Sequence, residues 1–218
     1  MSEDLHVKND WFSKLKSNKG LFIGSVIIGI GLLTAVGYFA YIKFFWEPTN
    51  EESKTIAWKA EKYLEIDSLD LALNGKPGDF EGLLSIASEY DGYIGGDRAK
   101  FEIGLALRDQ GKYQEALDYF SQVQFEDVMI GTFAIGAQGD CYSEMNQLGE
   151  ALTKYEEAYK RKPNPFSTPY FMMKAAAIHE TNGDFSKALE LYKTIKEEYE
   201  KSDFATNIDK YIARAENS

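Results

Sequence analysis

The stretch Leu148-Gly149-Glu150-Ala151-Leu152-Thr153-Lys154-Tyr155 occurs in near-copy twice more, as Tyr113-Gln114-Glu115-Ala116-Leu117-Asp118-Tyr119-Phe120 and Phe185-Ser186-Lys187-Ala188-Leu189-Glu190-Leu191-Tyr192. Each copy places an alanine on an apolar helix and an aromatic ring four residues later, one turn along the same face. The three alanines are 35 and 37 residues apart. Twelve residues before each stands a small residue, Gly104, Gly139 or Ala176, where two helices can cross with their backbones close. The pattern predicts a series of helical hairpins that bury a common face by stacking, an all-α solenoid.

These residues resemble the tetratricopeptide repeat, which has a small residue at position 8, alanine at 20, an aromatic at 24 and often proline at 32. Gly139, Tyr142, Ala151, Tyr155, Ala158 and Pro163 all fit that pattern. The preceding unit keeps Gly104, Ala116 and Phe120 but has Leu107 in place of tyrosine and Val128 in place of proline. The following one keeps Ala176, Ala188 and Tyr192, with His179 and Glu200 at those two positions.

An earlier, degenerate unit is traceable from Ile56 to Tyr90, with Gly82 and Ile86 lying 34 residues before Ala116 and Phe120. Its two helices are expected to be separated by the long loop 67–78, broken by Asn74-Gly75 and Pro77-Gly78. Residues 47–201 thus read as about four helical pairs. Residues 202–218 read as a capping helix, started by Ser202-Asp203 and burying Phe204, Ile208, Tyr211, Ile212 and Ala215.

Ahead of the repeats, Leu21 to Ile42 runs for 22 residues without a charge, about 33 Å of helix against a hydrocarbon core about 30 Å thick. Tyr38, Phe39, Tyr41, Phe44, Phe45 and Trp46 form an aromatic belt around Lys43. Residues 21–46 therefore read as a retained transmembrane helix with its flank, since a cleaved leader has a shorter apolar region. Lys8, Lys14, Lys16 and Lys19 precede the span while Glu47, Glu51 and Glu52 follow it. The positive-inside bias places residues 1–20 in the cytoplasm as a short tail. In a bacterium the far side is the periplasm. Five of the 24 basic and three of the 35 acidic residues precede Glu47, so the exported part carries a formal charge of -13. Gly24, Gly31 and Ala35 lie near one face of the span, beside Gly20-x-x-x-Gly24 and Ser25-x-x-x-Gly29, a surface suited to close approach by a second helix.

Signals for chemistry are sparse. A net charge of -11 argues against a nucleic-acid binder. His6 lies in the tail and His179 on a core-facing position, so the two histidines have no metal-ligand spacing. The motifs of serine hydrolases, phosphate loops and dinucleotide sites are missing from the sequence. Glu65, Asp67 and Asp70, or Glu156 and Glu157, read as solvated faces and turn caps rather than acid-base pairs. The single cysteine, Cys141, reads as a small buried apolar residue. No enzyme activity and no cofactor are expected.

In the family that the repeat resembles, the second, fifth, ninth and twelfth positions of each first helix line a concave groove. They correspond here to Arg98, Phe101, Leu105 and Arg108; Phe133, Gly136, Asp140 and Ser143; and Tyr170, Met173, Ala177 and Glu180. The resemblance implies a mixed groove with an aromatic and methionine floor, suited to an extended or helical segment, with Arg98 and Arg108 orienting it. It does not match the lysine and asparagine pattern of carboxylate-binding co-chaperones.

The whole arrangement of basic tail, single span and acidic repeat domain resembles the YfgM-like family of bacterial inner-membrane proteins. Trp58–Gly75 and Gly96–Phe120 carry the closest likeness. That resemblance implies an ancillary subunit of the SecYEG channel, paired with a PpiD-like periplasmic chaperone and meeting unfolded secretory chains as they emerge. An envelope or outer-membrane assembly scaffold is the alternative.

Overall fold

The computed structural model describes residues 16–218; Lys8, Lys14, His6 and most of the expected tail lie outside the described residues. The chain divides into two units, residues 1–51 and 52–218.

In the first unit, helix α1 (Lys19–Tyr41) is capped by Asn18, whose side-chain oxygen accepts from the amides of Gly20 and Leu21 at 3.2 and 3.3 Å. It is the one helix, among the described residues, long and apolar enough to cross a membrane. None of its side chains is buried. Its two hydroxyls are satisfied within the helix, Ser25 donating to the Phe22 carbonyl at 2.8 Å and Thr34 to the Gly31 carbonyl at 2.9 Å. A π-helical turn (Ile42–Trp46) follows, and Lys43 pairs with Glu47 at 2.8 Å. Helix α2 (Glu47–Ile56) carries the chain into the second unit.

The second unit is a stack of helical hairpins. Its helices are α3 (Trp58–Glu65), α4 (Leu69–Asn74), α5 (Leu83–Glu89), α6 (Ile94–Asp109), α7 (Tyr113–Phe120), α8 (Ile130–Glu144), α9 (Leu148–Arg161), α10 (Ser167–Thr181) and α11 (Phe185–Glu198). A 3-10 turn (Asp203–Asn207) and α12 (Ile208–Glu216) close it. The three best-matched hairpins turn alike. The amides of Lys112, Gln147 and Asp184 bond back to the carbonyls of Leu107, Tyr142 and His179 at 2.8–2.9 Å. Gly111, Asn146 and Gly183 sit in the left-handed region at φ 74°, 60° and 76°. This is the Schellman ending, which satisfies the last carbonyls of the first helix and reverses the chain.

The small residue and the aromatic of each unit meet, but as ring against backbone. A Cβ on Gly104 would lie 2.6 Å from the Phe120 ring, and one on Gly139 2.6 Å from the Tyr155 ring. At Gly139 the backbone of the second helix also comes close, the Ala151 carbonyl oxygen lying 3.2 Å from where a Cβ would stand, while at Gly104 the nearest atoms are those of the Phe120 ring. Phe120, Tyr155 and Tyr192 are all buried, as are Ala116, Ala151 and Ala188. The core forms three clusters, one from Ala60, Leu83 and Ile103 to Ala137 and Cys141, one around Tyr155 and Phe171, and one of Met172, Tyr192, Ile195 and Ile208; the half-buried Tyr142 packs against the first two, and Tyr159 and Leu191 against the last two.

The first hairpin departs from expectation. No long loop separates its helices. Asp67, at φ 58°, makes the same ending, with the Ser68 amide bonding to the Tyr63 carbonyl at 2.8 Å. Five residues after Asp67 stands Ala72, fully buried, the spacing that separates Gly111 from Ala116 and Asn146 from Ala151. Ala72, rather than Gly82, thus occupies the alanine position, and twelve residues before it lies buried Ala60. The second helix is interrupted after Asn74 by a two-stranded antiparallel hairpin, β1 (Gly75–Lys76) with β2 (Phe80–Glu81), and resumes as α5. Gly75, at φ 75°, and Gly82 leave no room for a Cβ, because each lies against the other's backbone. This hairpin is the one departure from an all-helical fold among the described residues.

At the other end, Ile208 and Ala215 are buried and Phe204, Tyr211 and Ile212 pack on the last core cluster. Ser202 does not cap as expected. Its hydroxyl is buried without a hydrogen-bond partner, and a 3-10 turn precedes the helix.

Candidate protein-binding groove

The first helices of successive hairpins carry a chain of ion pairs between repeats. Arg98 joins Glu61 of the preceding hairpin at 2.9 Å and Glu102 at 3.0 Å. Arg108 pairs with Asp109 at 2.9 Å and reaches Asp140 of the next hairpin at 3.7 Å. Asp140 also accepts from Lys174 of the hairpin after that and from the Tyr155 hydroxyl, both at 2.7 Å. Arg214 of the closing helix forks onto Glu180, with one bond at 3.1 Å. Both arginines expected to orient a ligand are thus held by the chain's own carboxylates.

The apolar positions form two groups. Phe101 is half-buried, its ring 5.8 Å from that of Phe120, and Leu105 is half-buried beside it. Phe133 contacts Tyr170 and Phe171 at 5.8 and 5.3 Å, and Tyr170 continues to Phe204 at 5.8 Å. Met173 packs on the last cluster. Gly136 is closed off, because the Phe171 ring lies where its Cβ would be. Arg98, Phe101 and Leu105 therefore share the stretch of α6 facing the first hairpin, while Phe133, Tyr170 and Met173 belong to the far end. Arg108 and Asp140 join the middle.

Sequence reasoning missed a cleft between α3 and α6. It holds about 420 Å³ and is lined by Leu64, Glu65, Asp67, Leu69, Glu102, Leu105, Ala106, Asp109 and Gln110. Burial, followed by the charge of Glu61, pushes the Glu102 carboxyl up to about 7, against the pull of Arg98. Only Leu105 of these lining residues had been placed in a groove. The signal was obscured because Glu102 and Ala106 lie between the positions that face inward in a regular repeat.

Cys141 and His179 lie in the packed interior. The Cys141 thiol is fully buried and held up at about 11, first by burial. A thiol so placed is a poor nucleophile. His179 is buried, its Nδ1 3.8 Å from Asp184. Among the described residues, no three His, Cys, Asp or Glu side chains are grouped to hold a metal. In α1, Gly24 and Gly31 have open space where a Cβ would stand, and Ala35 is exposed.

A solenoid of helical hairpins with paired charges and half-buried aromatics along its first helices defines a class, the repeat scaffolds that bind other proteins. The tetratricopeptide repeat family matches residues 84–127 and 137–203, about half of the chain. The chain belongs to that family. Its first hairpin, with a strand pair set into the second helix, lies almost wholly before the matched region. No curated protein matches the chain.

Proposed function

We propose that this chain is a membrane-anchored, non-enzymatic tetratricopeptide repeat scaffold, an ancillary subunit of the SecYEG translocon working with a PpiD-like chaperone on emerging secretory chains. Tetratricopeptide repeats are protein-interaction modules, and protein partners follow from the family. The observation that carries the finer reading is the joining, in one chain, of an apolar helix without a buried side chain to a strongly acidic repeat unit. Tethering of that kind raises the effective concentration of a binding surface near a membrane channel without any new contact. The basic residues before the span and the acidic ones after it favour a cytoplasmic N-terminus and a periplasmic repeat unit in the inner membrane. The likeness to the YfgM-like family supplies the channel and the chaperone. Negative charge keeps the repeats off anionic lipid headgroups.

The experiment is a mild-detergent pull-down of the full chain from native membranes, with partners read by mass spectrometry, beside a version lacking residues 1–46. Enrichment of SecY and a periplasmic chaperone is expected, lost on truncation. Recovery of envelope-assembly proteins without Sec components would replace this reading with the assembly scaffold.

A further inference from the structure

The inner-face junctions between successive repeats are not equivalent. Where α6 meets α8, the facing positions are Arg108 and Asp140, which pair; their counterparts where α3 meets α6 are Leu64 and Leu105, which leave the α3–α6 cleft open and apolar at its floor. Carboxylates at the later junctions receive cations from this chain: Asp140 has Arg108 and Lys174, and Glu180 has Arg214. Glu102 differs. Its Oε1 accepts from Arg98, which is shared with Glu61, while its Oε2 is buried without a hydrogen-bond partner. None of the nine residues lining the cleft is basic, and Glu65 and Asp67 stand exposed at its mouth. Asp109 is already engaged by Arg108.

We propose that the α3–α6 cleft receives an arginine or lysine side chain from a partner protein, its stem lying on Leu64, Leu69 and Leu105 and its cation meeting the exposed carboxylates of Glu65 and Asp67 at the mouth. Three features argue for this occupant. The apolar floor matches the methylene stem of a long basic side chain, which buries its carbons while its head seeks charge. Glu65 and Asp67 meet no basic residue among those that line the cleft. Glu65 and Asp67 are exposed, so an entering guanidinium reaches them with charge-assisted hydrogen bonds. Flanking apolar residues of the partner would rest on the half-buried Phe101 side of α6. The inference rests on the protein-interaction reading and names the chemistry of one contact within it.

The test uses the full chain in phosphatidylcholine nanodiscs and a fluorescent nonapeptide with one arginine flanked by leucines, beside versions carrying glutamate or norleucine instead. Anisotropy is expected to show the arginine peptide binding about tenfold tighter than the norleucine peptide, with the glutamate peptide weakest. Asp67→Asn, which suits the left-handed turn, and Glu65→Lys, at an exposed position, should each reduce the arginine peptide to about the norleucine level. Circular dichroism checks that both variants fold, and either one suffices if the other does not. Three peptides binding alike, none binding, or an arginine preference surviving the substitutions would overturn the assignment. Peptides that bind alike, with Sec partners still recovered by pull-down, would remove the cleft and leave the interaction reading. Arginine selectivity lost in the variants, with a pull-down free of Sec components, would support the cleft and sink the translocon role.

Discussion

Asp140 ties three hairpins together: it accepts from Tyr155 of its own hairpin and Lys174 of the next, and lies near Arg108 of the one before. Side-chain exposures of 19% for Asp140 and 30% for Lys174 leave this hub partly buried. It is therefore worth more than the exposed pair Lys160–Glu156, whose gain is typically under about 1 kcal/mol. Asp140→Ala leaves Lys174 and the Tyr155 hydroxyl without their acceptor and is expected to cost about 2 kcal/mol in urea unfolding. Glu102 behaves oppositely. Its folded pKa, near 7, lies above its ordinary value of 4.5 because of burial and Glu61. The groups that face it are Glu61 from α3, Arg98 on α6, and Glu65, Asp67 and Asp109 around the cleft. A raised carboxyl pKa contributes stability that is fully present below about 4.5 and lost as pH rises through about 7. Glu102→Gln should match wild type near pH 4.5 and exceed it by up to about 3 kcal/mol at pH 8. Denaturant midpoints measured across that range check the sign; a constant difference would contradict it.

At the scale of elements, the repeat was legible because its signal is local and periodic: Ala116, Ala151 and Ala188 are buried, with their aromatics packed inside the same hairpin. The first hairpin was read in the wrong register because the strand pair was inserted inside a helix, so counting 34 residues back from Ala116 landed on Gly82 instead of Ala72. The local clue was present in Ala60 and Ala72, twelve residues apart, but Asp67 had to be recognised as a left-handed turn residue. Aspartate and asparagine tolerate that conformation less well than glycine. Asn146, at φ 60°, is a corresponding site in a regular repeat. Asn146→Gly is expected to stabilise by about 0.5 kcal/mol, and Asn146→Val to destabilise by about 1–2 kcal/mol, in thermal or urea unfolding. The groove was less legible than the turns. Register assigns residues to a face, but whether Arg98 and Arg108 are free depends on Glu61 and Asp140 in neighbouring repeats. Those pairings arise only when the hairpins stack.

At the scale of the whole molecule, the apolar helix and the repeats answer different requirements, and substitutions can separate them. Every side chain of α1 is at least partly exposed, so a hydrocarbon environment would cover what this unit itself does not. Ile30 and Leu33 lie near its middle, and both are more than half exposed. A charge there costs about 2.5–3.5 kcal/mol in membrane insertion, so Ile30→Asp combined with Leu33→Arg should release the chain from membranes in alkaline carbonate. Gly24, Gly31 and Ala35 pose a different question. Replacing all three by leucine makes the helix more apolar and leaves carbonate resistance intact, but blocks close approach by another helix along that face. If the face meets a partner span, crosslinks formed through the helix should be lost in the leucine variant while binding by the repeats to soluble peptides persists. Retained crosslinks would place the partner on another face of α1. Release of the leucine variant from the membrane would show that the small residues serve anchoring itself.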